Sequence, residues 1–344
     1  MHVTFDGSRV RAGTDARERF YDSRGYGQPR GGDLELAPVE IAHLLFRGDI
    51  ETVQDERTDE ALDFHSFLAS QAVSEVEFFV YKDLRDRGFY LSPHEGEFLV
   101  YPRGKGPWDD ELAYRVQPRS ERADVSAELL RSLATDGADD DTSGVLAVVD
   151  EESEVTYLSV ERRSITGSTD HELADSGGEL LADRVLVSNP PSVLHERAFY
   201  GQPLDREDDP LQLSLVEAAH LAGEGVLSLT DGSRGADAIV ERGREVEGER
   251  FDRRLRVYSA LRSRGVVPKT GFKFGADFRT YADVESVDDL GHSELLVRVL
   301  PAAHTFAPRD LALDVRLAHG VRKTIVFALV DEELDWVAVE RLTP

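Results

Sequence analysis

Apolar residues recur at helical spacing in LELAPVEIAHLLFRG (34–48), which ends on a glycine, and in RLRVYSALRSRG (254–265), stopped by Gly265. Each pattern predicts a helix, because positions three and four apart share one face and glycine tolerates the left-handed turn that ends it. The period then changes. GFKFGADFRTYADV (271–284) alternates as a strand does, and SELLVRVL (293–300) predicts a second strand. TFAPRDLALDVRLAHG (305–320) returns to helical spacing, with Pro308 near its first turn, Leu311, Val315 and Ala318 on one face, and Gly320 at its end. TIVFALV (324–330) and WVAVERL (336–342) predict a hairpin closed by the acidic turn DEELD (331–335). The predicted order is ββ-α-ββ, a mixed sheet with a helix on one side.

The same order occurs twice. YGQP stands at 26–29 and 200–203, and LELAPVEIAHL (34–44) matches LQLSLVEAAHL (211–221). VYKDLRDRG (80–88) matches VYSALRSRG (257–265), and EFLVYPRG (97–104) lines up with DFRTYADV (277–284). VLAVVDEESEVTYLSVERR (145–163) matches IVFALVDEELDWVAVERL (325–342). Each copy is too long for a solenoid unit and about the length of one domain. The predicted fold is therefore α/β (α+β) and a tandem duplication. Each copy would hold an N-terminal mixed α/β subdomain and a ββ-α-ββ nuclease-like subdomain. The first copy is expected at 1–165, a polar linker at 166–178 and the second copy at 179–344, itself divided into 179–268 and 269–344.

Composition narrows the chemistry. The 344 residues include no cysteine, which removes disulfides, thiolate metal sites and cysteine nucleophiles. No HExxH pair or other tight ligand spacing is present, so no metal or other cofactor is expected. No apolar run approaches the length of a membrane span, and the first residues lack a signal peptide's apolar core, so a cytoplasmic protein is expected. With 67 acidic and 40 basic residues the net charge is -27, and the acids are spread along the whole chain. A scattered carboxylate coat suits a protein kept hydrated in concentrated salt; a protein binding basic partners is the other reading.

A duplication supplies its own comparison, because packing residues should persist in both copies. Tyr281 has Tyr101 opposite it, but His292 faces Asp109 and Lys323 faces Thr142. Alone, each second-copy residue has an ordinary explanation: a half-buried strand tyrosine, a loop histidine, a solvated lysine. Together they form a coherent set. A tyrosine oxygen can take a proton, an imidazolium can give one, and an ammonium suits phosphate oxygens. Such a trio could cleave RNA with its own 2′-hydroxyl as nucleophile and no metal. His304 and His319 are rivals for the acid; His319 lies where a helix dipole favours a cation, and His304 has no apparent partner in the sequence.

The stretch YSALRSRGVVPKTGFKFGADFRTYADV, followed by GHSELLV and GVRKTIVFALV, resembles the catalytic domain of the archaeal tRNA-intron (splicing) endonucleases. The first copy resembles the non-catalytic half of their fused, homodimeric form. The resemblance implies cleavage of precursor tRNA at bulge-helix-bulge junctions, leaving 2′,3′-cyclic phosphate and 5′-hydroxyl ends, with precursor rRNA a further RNA partner to consider. It implies Tyr281 as general base, His292 as general acid and Lys323 as stabiliser of the charged phosphorane. It also implies Arg316 and Arg341 as stacking partners for a flipped bulge base, against the alternative of ordinary surface arginines. The turn Asp331, Glu332 and Glu333 would dock on the other subunit of a homodimer, although the first copy carries its own DEE (150–152). A non-catalytic RNA-binding or scaffold subunit is the rival function, and a metal-dependent nuclease a third. Asp288 and Asp289 would favour protonated His292 if they lie beside it, or belong to the acidic coat if they do not.

Overall fold

The computed structural model describes residues 3–134, 142–204, 210–230 and 235–344. Two compact units account for them: one of Met1–Glu161, Thr305–Ala312 and Glu340–Pro344, the other of Arg162–His304 and Leu313–Val339. Both mix strands and helices as the period changes predict, and each opens with a small sheet carrying helices.

In the first unit the opening sheet holds strands Val3–Phe5, Val10–Ala12, Gln28–Arg30, Asp33–Leu36, Val53–Asp55 and Glu60–Leu62. The run expected to be wholly helical from residue 34 divides. Asp33–Leu36 is a strand, and the helix Pro38–Phe46 begins only at the proline, which suits a first helical turn because it lacks an N–H to lose. A second sheet has the order Leu91–His94, Glu97–Val100, Tyr114–Ser120, Ser143–Val149, Val155–Arg162 when traversed from its edge. The helix Glu75–Asp86 buries Phe78, Val80, Tyr81 and Leu84 in the core of this unit.

The second unit repeats the plan. Its small sheet includes Ser176–Leu180, Arg184–Val187, Leu211–Ser214 and Leu227–Leu229, so the end of the polar stretch expected as linker is already a strand. The helix Glu249–Arg262 ends before Gly265, whose φ is +73°. A Cβ there would stand 2.7 Å from the Gly167 carbonyl oxygen, so glycine is required by both conformation and space.

The larger sheet of this unit runs in the order Val267–Thr270, Phe278–Tyr281, Leu295–Pro301, Thr324–Val330, Leu334–Leu342. The expected ββ-α-ββ pattern is therefore one strand short: Val267–Thr270 pairs antiparallel with Phe278–Tyr281 and sits at the edge. The residues 271–277, expected to continue a strand, form a connecting loop with a 3₁₀ turn at Phe272–Phe274. Leu295–Pro301 and Thr324–Val330 lie parallel, in register Leu295↔Thr324. The helix Pro308–Gly320 makes the crossover a parallel pair requires. Its expected inner residues Leu311, Val315 and Ala318 are buried.

Candidate active site

The sheet order brings Tyr281 and the two copy-specific residues, His292 and Lys323, to one region. Tyr281 is the last residue of its strand, and its antiparallel neighbour pairs Thr280 with Leu295. His292 lies in the coil three residues before Leu295, and Lys323 directly precedes Thr324, the partner of Leu295 on the other side. The parallel ladder is extended by the Thr324 N–H, which donates to the Glu294 carbonyl at 3.1 Å. All three residues thus stand at the same end of three adjacent strands.

Their surroundings differ. Tyr281 is buried in a small cluster with Phe199, Val267 and Val284, its ring edge-on to Phe199 at 5.7 Å. Among the described residues no hydrogen bond involves its hydroxyl. In the first copy, by contrast, the Tyr101 hydroxyl lies 3.1 Å from Ser92 Oγ. The backbone position is shared, and the engagement of the hydroxyl is not. His292 is exposed. Lys323 is half-buried, its ammonium donating to the carbonyl of Ser293, the residue after His292. Burial, with the charge of Arg279 adding, pushes the Lys323 ammonium below the ordinary lysine range.

Arg279 was not singled out by its sequence context, yet it belongs to this region. It shares a strand face with Tyr281, as residues two apart must, and its guanidinium carbon is 5.7 Å from the Tyr281 ring centroid. Its Nε is buried without a hydrogen-bond partner. Leu99 holds its place in the first copy, so Arg279 too is copy-specific. Comparing the strands rather than the trio alone would have found it.

The remaining candidates are dispersed. Arg316 is exposed on the helix Pro308–Gly320. Arg341 is exposed within Glu340–Pro344, which clusters with the first unit, so the two arginines are not gathered into one unit. Asp331, Glu332 and Glu333 form an exposed turn. The turn is clamped: Arg256 donates to the carbonyl of Asp331 and, at 2.6 Å, to that of Glu332. The side chain of Asp331 is also engaged, accepting from the Glu333 N–H at 2.9 Å. Asp288 and Asp289 are exposed in a 3₁₀ turn capped by Ser286, and among the described residues neither forms an ion pair with His292. His304, which looked solitary in sequence, is engaged: it feels the charges of Arg298 and Asp314, and burial leads in lowering its pKa. His319 is exposed in the last turn of its helix. Among the described residues no group of three histidines and carboxylates could hold a metal ion.

Comparison with known proteins agrees with this duplicated plan. The model of the tRNA intron endonuclease catalytic C-terminal domain matches residues 75–157 and again 251–338. The model of the tRNA intron endonuclease N-terminal domain matches residues 1–68 and 176–238. The chain is 62% identical over 356 residues to a tRNA-splicing endonuclease of Haloarcula marismortui, covering 100% of both chains. It is 57% identical to one from Natronomonas pharaonis over 97% of each chain, and 36% identical to one from Methanosarcina acetivorans over 99% of each.

Proposed function

This chain belongs to the tRNA intron endonuclease family, and from that premise we propose that it excises introns from precursor tRNA by metal-independent cleavage at bulge-helix-bulge junctions. One observation carries the mechanism: the Lys323 ammonium rests on the Ser293 carbonyl, next to His292, at the strand end shared with Tyr281.

The chemistry follows from the three groups. Tyr281, with its oxygen in the tyrosinate form, takes the proton of the 2′-hydroxyl preceding the scissile phosphate and becomes the neutral phenol. The 2′-oxygen bonds to phosphorus, the bond from phosphorus to the 5′-oxygen breaks, and His292 gives that oxygen its proton. The products are a 2′,3′-cyclic phosphate and a 5′-hydroxyl. Lys323 neutralises charge on the non-bridging oxygens while phosphorus is five-coordinate, in a site partly withdrawn from water where such stabilisation is strongest. The exposed position of His292 suits an acid that must reach a leaving group on a large substrate.

Recognition and assembly extend this reading. Arg316 and Arg341 are each RNA contacts in this reading, since guanidinium planes pair well with base faces and RNA is read where bases are splayed out. Two copies of the chain act together, the turn Asp331–Glu333 of one docking on the other; Arg256 holds that turn by its backbone, leaving the carboxylates of Glu332 and Glu333 turned to solvent. Precursor rRNA with the same junction is a second substrate.

The test is cleavage of a model bulge-helix-bulge RNA in EDTA, with analysis of both new ends. The native protein should give cyclic phosphate and 5′-hydroxyl ends. His292→Ala should bind the RNA with near-native affinity and cleave at least 100-fold more slowly, within the range a general acid contributes. Native-rate cleavage by that variant, or 5′-phosphate products from the native protein, would reject the mechanism. Activity lost in EDTA and restored by magnesium would point to a metal-dependent nuclease instead.

A further inference from the structure

The connection before the Tyr281 strand is the feature that the trio does not use. In the first copy the equivalent strands, Leu91–His94 and Glu97–Val100, are joined by the two-residue turn Glu95–Gly96, both residues at positive φ. In the second copy the strands Val267–Thr270 and Phe278–Tyr281 are joined by the longer loop 271–277, GFKFGAD. The insertion is therefore confined to the copy that carries His292 and Lys323.

This loop is rigid. The Phe274 N–H donates to the Gly271 carbonyl at 2.8 Å, Gly275 N–H to Phe272 at 3.2 Å, and Ala276 N–H to Gly271 at 3.2 Å. A Cβ on Gly271 would lie 2.8 Å from the Ala276 carbonyl oxygen, so the turn is closed on itself. Its far end is pinned by buried Asp277, which accepts from Arg250 at 2.5 Å and from the Val299 N–H at 2.8 Å. What this framework presents is a phenyl ring in water. Phe272 is 86% exposed, more than any other large apolar side chain so identified among the described residues. A single exposed hydrophobe needs no explanation by itself. One held on a hydrogen-bonded, copy-specific loop whose Phe274 reaches Lys323 does.

The neighbourhood is charged in a way that selects the occupant. Phe274, two residues along the same turn, has its ring centroid 5.9 Å from the Lys323 ammonium. Lys273 between them is exposed. The one acid in the loop, Asp277, already holds Arg250 and the Val299 N–H. In a chain of net charge -27, an exposed aromatic next in sequence to Lys273, on a turn whose Phe274 meets Lys323 and which has no unmatched carboxylate, suits a base of an RNA strand with its phosphates alongside.

We infer that Phe272 is a stacking platform for an unpaired RNA base next to the cleaved phosphate, with Lys273 facing the backbone of that strand. This reading rests on the proposed RNA-cleaving function and adds a subsite to it. Phe272 positions the substrate and takes no part in proton transfer.

The experiment uses the full chain, in molar KCl and EDTA, with a bulge-helix-bulge RNA carrying 2′-deoxynucleotides at its bulges and 2-aminopurine at one bulge position. The native protein should quench 2-aminopurine at one of the bulge positions on binding. Phe272→Ala should remove the quench and weaken binding about 5- to 100-fold, with its melting temperature unchanged. Phe272→Tyr should restore both, and Phe272→Leu neither. Native affinity and quench in Phe272→Ala would overturn the inference. So would a change in oligomeric mass with RNA binding intact, which would make Phe272 a protein contact. An all-ribose RNA scores the parent function separately: binding with the Phe272 effect but without cleavage would retain the subsite and reject the nuclease. A native protein that binds neither this RNA nor a single-stranded oligouridylate would reject both.

Discussion

At the scale of single residues, two glutamates in equivalent places show how one partner decides an ionisation. Glu40 and Glu217 each sit in the first turn of a helix and accept one N–H at its start, from Ala37 or Ser214, and one from an earlier glycine, Gly27 or Gly201. In the second copy Lys269 stands 2.9 Å from Glu217, and in the first copy Ser92 holds the place of Lys269. Burial lifts Glu40 to about 7, because only two backbone bonds and the distant Arg85 oppose it. Burial opposes Glu217 as well, but Lys269 and the N–H groups of Ser214 and Gly201 bring it down to about 2. The signs of the stability effects are opposite. Stability held by neutral Glu40 is present below pH 4.5 and is lost as pH rises to about 7, on the order of 3 kcal/mol. Stability held by charged Glu217 is present above pH 4.5 and is lost as pH falls toward 2. Chemical denaturation of Glu40→Gln between pH 4 and 8 should show a flatter profile than the native chain; an unchanged profile would reject the assignment. Lys323 offers a second test. Replacing Arg279 with glutamine should move the alkaline limb of single-turnover cleavage upward, because Arg279 helps depress the lysine. In a Lys323→Arg background the Arg279 replacement should no longer move that limb, since a guanidinium stays charged. The trio's chemistry was legible at this scale, because two of its three residue types, at 292 and 323, differ between copies. The contribution of Arg279 was not, since an arginine in a strand looks like a surface residue until its neighbours are known.

Among elements, periodicity placed three helices, the first starting at Pro38 rather than at residue 34, and misread the loop before Phe278. The helix Pro308–Gly320 and the hairpin that follows were readable, because a buried face imposes a regular pattern. GFKFGADFRTYADV alternates throughout, yet its first half is a 3₁₀ turn, because local hydrogen bonds and the left-handed Gly275 end the strand pairing there. The short strand Val267–Thr270 escaped notice because its pairing partner lies beyond that loop. Asp277 joins these elements, accepting from Arg250 on the helix Glu249–Arg262 and from the Val299 N–H in the central strand. Asp277→Asn should therefore cost about 2–4 kcal/mol in denaturant unfolding, since it weakens bonds to a charged partner and leaves buried donors poorly matched. A loss below 0.5 kcal/mol would show that the loop is held by other contacts.

For the molecule as a whole, charge and duplication dominate. A net charge of -27 repels itself over roughly 10 Å at 0.1 M salt and only about 3 Å at 1 M. Thermal unfolding followed by circular dichroism should accordingly show a midpoint that climbs steadily with KCl up to the molar range. A midpoint independent of salt would mean that the acids are spaced or paired well enough to need no screening. The repeated order of motifs was determined by sequence alone, and with it the two-copy architecture and the family. Each copy must bury the same faces, so the same pattern recurs however far surface residues diverge. Which of the candidate residues meet was decided only by tertiary structure. Tyr281, His292 and Lys323 converge because a parallel register, Leu295↔Thr324, and an antiparallel one, Thr280↔Leu295, align three strand ends. Register is fixed by packing between strands far apart in sequence, and no local pattern records it.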